Sequence, residues 1–304
     1  MSIAFIALLA VVPVALAAGQ PFWINVATRI VIYALAAASL NFILAYGGMV
    51  SFGHAAFFAV GGYTAALLSN AGVQSALVTW PAAVIAAALA GAVIGALSLR
   101  TTGIYFILIT LGFAQMIFFT LVAVKAVGGN DGLAMDARSV LPLVDLRSPV
   151  AFYITAVVLL ALFVALVLRI GSSPFGLALD GARQSERRVR SLGFPVTRYK
   201  LIAFVIAAGG AGLAGALWAD YARFVSPEMA SWQRSGDFLV MVILGGVGSA
   251  AGPLLGSAAL IAVESLLSGL TEHWMIALGL ALLVFVLFAR RGIAGLRLPG
   301  RQRG

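Results

Sequence analysis

Leu44-Ala-Tyr-Gly-Gly-Met-Val-Ser-Phe-Gly-His-Ala-Ala-Phe-Phe58 lies between two apolar runs, yet it carries three glycines, a serine and a histidine. In hydrocarbon every backbone N–H and C=O must be satisfied within the protein, so an interrupted helix is tolerated only where it is buried in protein or lines a cavity. The runs on either side, 24–46 and 55–69, are apolar enough to be membrane segments. The stretch therefore reads as a break between membrane helices.

Composition extends that reading to the whole chain. Of 304 residues, 62% are hydrophobic and only 10% charged, and the mean hydropathy is +1.09, whereas charged residues make up about 25% of soluble domains. With about 20 apolar residues needed per span, ten candidates emerge: 2–18, 24–46, 55–69, 77–97, 104–126, 150–170, 200–220, 236–248, 253–270 and 274–289. The fold class is an all-α, polytopic helical bundle forming one membrane domain over residues 1–304. The first segment ends in Ala15-Leu16-Ala17, which resembles a cleavage site, but it has no basic start. We expect it to be retained with the N-terminus inside; cleavage would leave nine spans.

Charge orients the bundle. Arg183, Arg187, Arg188, Arg190, Arg198 and Lys200 of the 171–199 interruption and its edge fall on the same side as Arg290, Arg291, Arg297, Arg301 and Arg303 of the tail 290–304. Arg100 and Arg169 join them, giving 13 of the 19 basic residues to one face. The positive-inside rule makes that face cytoplasmic and accounts for the net charge of +9 without nucleic acid. We expect both termini in the cytoplasm. No cysteine and only two histidines, His54 and His273, argue against a resident metal, and no cofactor is expected on this chain.

The opening stretch has an echo. About 200 residues later, Ile243-Leu-Gly-Gly-Val-Gly-Ser-Ala-Ala-Gly-Pro253 repeats its Gly-Gly-x-x-Ser pattern. Paired glycine breaks in the two halves of a membrane chain point to an internal pseudo-repeat with a path between the breaks. Tyr46, Gly47, Gly48, Ser51 and His54 would line one wall, and Gly245, Gly246 and Ser249 the other. The competing explanation is close helix packing, which glycine also permits and which we favour for Gly91-x-x-x-Gly95. For His54 the competing role is a neutral histidine hydrogen-bonded inside the bundle.

Other patterns fail on context. Gly210-Ala-Gly-Leu-Ala-Gly215 matches a dinucleotide fingerprint by letter, but it sits in an apolar span with no strand before it, so helix packing is expected. No phosphate-binding lysine motif, nucleophile elbow or zinc-protease motif occurs, and no catalytic residue is expected. Glu264 is the one carboxylate well inside a span. A charge there costs about 2.5–3.5 kcal/mol on insertion scales and marks a functional residue by default.

Among the polar segments, Ser172 to Pro195 is the most informative. Ser173 can cap a helix starting at Pro174, and Gly193 with Pro195 can stop it, which predicts one cytoplasmic helix of about 19 residues. Arg183, Glu186, Arg187 and Arg190 would form its polar surface, with Val189 among its apolar residues. Such a helix either lies on anionic lipid or fits a partner's groove.

Several fragments now fall into one order: Tyr46-Gly-Gly-Met-Val-Ser-Phe-Gly-His-Ala-Ala-Phe57, Arg100-Thr-Thr-Gly-Ile-Tyr-Phe106, Gly128-Gly-Asn-Asp-Gly-Leu133, Ser173-Pro-Phe-Gly176, Arg198-Tyr-Lys200, Phe224-Val-Ser-Pro227 and Leu244-Gly-Gly-Val-Gly-Ser249. The set resembles the LivM-type permease subunits of bacterial branched-chain amino acid ABC importers over about residues 40–270. The resemblance implies a second related permease, two ATP-binding cassette subunits that hold ATP and Mg, and a periplasmic substrate-binding protein. It also makes the 171–199 segment the element coupled to the ATPases, through Arg183, Glu186, Arg187, Val189, Arg190 and Gly193. Gln184-Ser185 before Glu186 departs from the family pattern. The expected activity is alternating-access import of branched-chain or similar amino acids. Alternatives are an ABC permease for urea or short amides, or a stand-alone secondary transporter, which would need an ion-coupling site that the sparse acids do not supply.

Overall fold

The computed structural model describes residues 21–142, 144–268, 276, 279–280 and 292–295. The expected span 2–18, nearly all of 274–289 and most of the basic tail lie outside the described residues. Ten helices of six residues or more are described: α1 (Pro21–Gly47), α2 (His54–Asn70), α3 (Ala76–Ser98), α4 (Ile104–Ala123), α5 (Pro149–Gly171), α6 (Pro174–Gln184), α7 (Glu186–Ser191), α8 (Val196–Ala222), α9 (Trp232–Gly245) and α10 (Gly252–Ser268).

Length divides them. Phe22–Gly47, Ala76–Ser98, Ile104–Ala123, Pro149–Gly171 and Val196–Ala222 are long and apolar enough to cross a membrane. At 1.5 Å per residue, α2 and α10 (17 residues each) and α9 (14 residues) reach about 21–26 Å, short of the roughly 30 Å hydrocarbon core. Of the ten expected spans, five therefore have full length, three are shorter, and two lie outside the described residues. The two glycine breaks account for two of the three short helices: α2 starts after the first, and α9 ends at the second.

The full-length helices are not equivalent. In α1, 78% of the most apolar window is buried, against 17% in α4. A bundle embedded in lipid has no reason to expose polar residues outward, so apolarity does not mark the core; small residues do. α8 supplies them, packing on α1, α2 and α3. A Cβ at Gly61 would overlap the Gly212 carbonyl, one at Gly215 the Phe58 carbonyl, and one at Gly212 the Ala87 methyl. Gly91 of α3 likewise faces the Ala208 Cβ. Backbones here touch with nothing between them, which is the packing role expected for Gly91-x-x-x-Gly95 and for Gly210–Gly215.

At the Asn70 end the connections knit into a cap. Leu133–Ala134 (β1) pairs antiparallel with Phe224–Val225 (β2), Leu133 opposite Val225. Asp220, fully buried near the end of α8, accepts hydrogen bonds from Trp80 Nε1 of α3 and from the Ser139 N–H, both at 2.7 Å. Arg138 donates from Nε to the Asp220 carbonyl at 2.9 Å and from Nη1 to the Leu146 carbonyl at 2.8 Å. One carboxylate thus ties α3, α8 and the 128–148 connection together. Asp220→Ala would strand two buried donors and remove the counter-charge of Arg138, a loss expected to reach about 3 kcal/mol. Thermal unfolding in detergent checks this; an unchanged midpoint would mean that the cap carries no stability.

Candidate functional site

At the first break, α1 ends at Gly47 and Gly48 turns with φ +63°, a left-handed conformation that glycine reaches without strain. The Met49 N–H folds back onto the Ile43 carbonyl at 3.1 Å. Residues 49–53 then run without helical structure, and side chains take over the backbone bonding. Phe52 N–H donates to Thr110 Oγ1 at 3.3 Å and Gly53 N–H to the buried Ser51 Oγ at 3.2 Å. Where α2 starts, the Ala55 N–H donates to Ser235 Oγ at 3.1 Å. Ser235 belongs to the first turn of α9, so the starting ends of two short helices meet inside the bundle. His54 is fully buried, and its Nε2 shares a 2.7 Å hydrogen bond with Ser39 Oγ of α1.

The second break is held differently. α9 ends at Gly245, Gly246 turns with φ +103°, and α10 begins at Gly252. Asn41, a buried amide in the apolar run of α1, donates from Nδ2 to the Ser249 carbonyl at 3.2 Å and accepts from the Gly248 N–H at 2.9 Å. A Cβ at Gly245 would overlap the Gly252 carbonyl, so this glycine also permits a tight hairpin.

Three of the eight residues proposed for the path line an opening, and they divide between two. Gly47 and Gly48 line a cavity of about 280 Å³ together with Thr101, Thr102, Arg183, Glu186 and Lys200. Tyr46 lines a narrower cleft with Asn41, Gly248 and Val164. Ser51 and His54 are buried behind the first break, and Gly245 packs on Gly252. The inner end of α1 is common to both openings.

The 171–199 segment differs from the single 19-residue helix expected. Ser173 caps α6, its Oγ accepting from Gly176 N–H at 3.3 Å, and Pro174 is the first residue, as anticipated. The helix stops at Ser185, however, which is extended with φ −157° and ψ 96°, and α7 begins at Glu186. The cause lies in the side chains. Asp180 accepts from Arg183 Nε at 2.9 Å and Gln184 Nε2 at 3.1 Å, closing the last turn of α6. Glu186 is drawn to Lys200 Nζ of α8 at 2.7 Å and to Arg190. Val189 turns inward onto Ala182 and Val196. The segment is a folded-over pair of helices enclosing a groove of about 460 Å³, lined by Leu177, Gly181, Val189, Leu192 and Phe194 with Arg188 at its edge. Leu177 and Leu192 are 68% and 70% exposed. Arg187 and Gly193 are exposed on its surface.

Sequence reasoning missed Lys200 as the partner of Glu186, because their 14-residue separation carries no helical periodicity. Asn41 had a visible signal, an amide amid apolar residues, that went unused.

Partial burial works to raise the Glu186 pKa, but the hydrogen bond and charge of Lys200, with Arg190, outweigh it and hold the carboxyl below its ordinary value. A depressed carboxyl stabilises the fold above its unfolded pKa, about 4.3, and loses that contribution as pH falls through the folded value. Amide-exchange protection of α7 is therefore expected to stay level from about pH 5 to pH 8 and to collapse only below the carboxylate range. Glu186→Gln should show the low protection throughout. Protection in the wild type that fell between pH 7 and pH 5 would assign the link to another group.

Residues 22–289 match the family described as branched-chain amino acid transport system permease component. The high-affinity branched-chain amino acid transport system permease protein LivM of Salmonella typhimurium is 29% identical, over 91% of this chain and 71% of that protein. The Escherichia coli protein of the same name is 28% identical, over 93% of this chain and 74% of its own length. No solved structure matches. The family match takes in both glycine breaks, the folded-over helix pair and the capped connections. This chain belongs to the branched-chain amino acid transport system permease component family.

Proposed function

We propose that this chain is the permease subunit of an ATP-driven importer that moves branched-chain or similar amino acids into the cytoplasm by alternating access. The observation that carries this reading is the 280 Å³ cavity in which the first glycine break meets Arg183, Glu186 and Lys200. There a device for moving one segment against another adjoins the backbone that would open. The chain acts as one membrane domain, with the 171–199 segment and the tail on the cytoplasmic side, both termini inside, and the ten-span topology given above. Tyr46, Gly47, Gly48, Ser51, His54, Gly245, Gly246 and Ser249 border the path.

ATP and Mg are held by two ATP-binding cassette subunits, and this chain breaks no bond. The groove beside Val189, with Arg188 at its edge, receives a projecting element of one of those subunits, and Arg183, Glu186, Arg187, Arg190 and Gly193 make the contacts around it. A second permease and a periplasmic binding protein complete the complex. ATP binding changes the relation of the helix pair to the bundle, because a conformational change needs an interaction that differs between two states.

Purification through this chain should bring down ATP-binding cassette subunits, and liposomes carrying the complex should accumulate L-leucine only with ATP and the binding protein. Leucine uptake by this chain alone, driven by an ion gradient, would replace the reading with a secondary transporter.

A further inference from the structure

Four charged side chains of α1, α9 and α10 gather around one ring. Arg29 Nη2 lies 3.8 Å from Glu264 Oε1, and Arg234 Nη1 lies 3.4 Å from Asp237 Oδ2. The Arg234 guanidinium sits 5.5 Å from the centre of the Tyr33 ring, and Tyr33 is within electrostatic reach of all four charges. Below this ring lie Phe58 and Phe238, at 6.3 and 6.1 Å, and then the contact between Ala55 and Ser235 where α2 and α9 begin.

Three properties of the cluster are unlike those of a structural ion pair. Both pairs are longer than the 2.7–2.9 Å of a tight charge-assisted hydrogen bond. The Nε of Arg29 is buried without a hydrogen-bond partner among the described residues. The side chains keep 33% and 36% exposure in one pair and 32% and 46% in the other. Arg29 and Glu264 fall within expected spans, where a charge turns to a polar cavity or another protein surface rather than to lipid. Two guanidinium groups and two carboxylates, loosely paired and accessible, match the two ends of a zwitterion.

We propose that Arg29, Arg234, Asp237 and Glu264 form a binding site for the charged head of an α-amino acid. The guanidinium groups take its carboxylate, and Asp237 and Glu264 take its ammonium. This rests on the amino-acid reading above and adds what that reading lacked: a site that reads the backbone of the solute and is indifferent to its side chain. Glu264, singled out in the sequence as a lone carboxylate, gains a ligand chemistry, and Arg29 joins it.

The assembled complex, purified without its binding protein, tests this by equilibrium binding of L-leucine. Isocaproate, which lacks the ammonium group, and isoamylamine, which lacks the carboxylate, should each compete at least about tenfold more weakly than leucine, since each forfeits one set of charge-assisted hydrogen bonds. L-alanine should compete within about tenfold of leucine, because only its side chain differs. Asp237→Asn and Glu264→Gln should each weaken leucine binding about tenfold or more while the complex still co-purifies.

The double substitution Arg29→Met with Glu264→Met decides between ligand binding and packing. It leaves no unpaired charge, so a pair that only neutralises itself against the second permease would regain function, whereas a ligand site would stay impaired. Recovery in the double variant overturns the proposal, as do equal competition by the singly charged analogues and absence of saturable leucine binding. Leucine uptake by the wild type with full binding in Asp237→Asn and Glu264→Gln would overturn this site alone. Uptake of acetamide in place of any amino acid would overturn the functional reading and the site together.

Discussion

Replacing Gly215 with alanine is expected to leave little folded protein. A Cβ at this position would overlap the Phe58 carbonyl and lie 2.9 Å from the Gly62 nitrogen. The obstacle is backbone on both counts, so no rotamer change relieves it. α2 and α8 would have to separate along their shared length, and the neighbouring contact of Gly61 with Gly212 would open with them. Overpacking a tight core costs about 1–3 kcal/mol when side chains can adjust, and more is expected when they cannot. Net stabilities of about 5–15 kcal/mol leave little margin for that. Gly112 of α4 supplies the control: nothing lies within 4 Å of a Cβ built there, so Gly112→Ala should be neutral or stabilise by up to about 1 kcal/mol through the helix interior. The measurement is the yield of monodisperse protein in detergent and its unfolding midpoint. A Gly215→Ala protein that melts with the wild type would show that α2 and α8 part freely.

Val189→Pro is expected to abolish coupled transport while leaving the bundle inserted. The Val189 N–H donates to the Ser185 carbonyl at 3.2 Å, the bond that closes the first turn of α7, and its side chain packs on Ala182 and Val196. Proline removes the donor, and its ring clashes with the preceding turn, costing about 3 kcal/mol or more in a helix interior. A helix of six residues cannot absorb that. Losing α7 also releases Glu186 from its place over Lys200 and removes one wall of the groove. The long apolar helices insert by their own hydrophobicity and not through α7, so membrane insertion should persist. In liposomes with the partner subunits, L-leucine uptake should fall to background and substrate should no longer stimulate ATP hydrolysis. Normal uptake and normal stimulation in this variant would place coupling elsewhere and return the segment to a role on the lipid surface.

How much of this was legible in the sequence differs from feature to feature. The glycine pairs at 47–48 and 245–246 marked helix ends correctly, because glycine in a run of alanine, leucine and isoleucine is a local signal. The cap at Ser173 and Pro174 was legible for the same reason. The division at Ser185 was not: each residue from 174 to 192 is compatible with one helix, and what interrupts it is Lys200, a residue of the next span. Asp220 was visible as a carboxylate near a span end, but its partners Trp80 and Ser139 lie 140 and 81 residues away. Arg29 and Glu264 come together across nearly the whole described chain. Long-range pairings of polar groups leave no period to read, and in a chain this apolar they are where the function lies.

The cap around Asp220 bears on how such a molecule moves. α8 is fastened to α3 and the 128–148 connection at Asp220, while 20 residues away Lys200 holds the Glu186 carboxylate of the helix pair. The distance between them along the helix is about 30 Å. With the capped end as fulcrum, a tilt of about 5° sweeps the Lys200 end through about 3 Å, roughly the width of a hydrogen bond. The reverse also holds: a displacement of that size imposed through Glu186 reaches the capped end as almost pure rotation, with nearly no travel. A tilt of α8 about its capped end would therefore be felt most at Lys200 and least at Asp220.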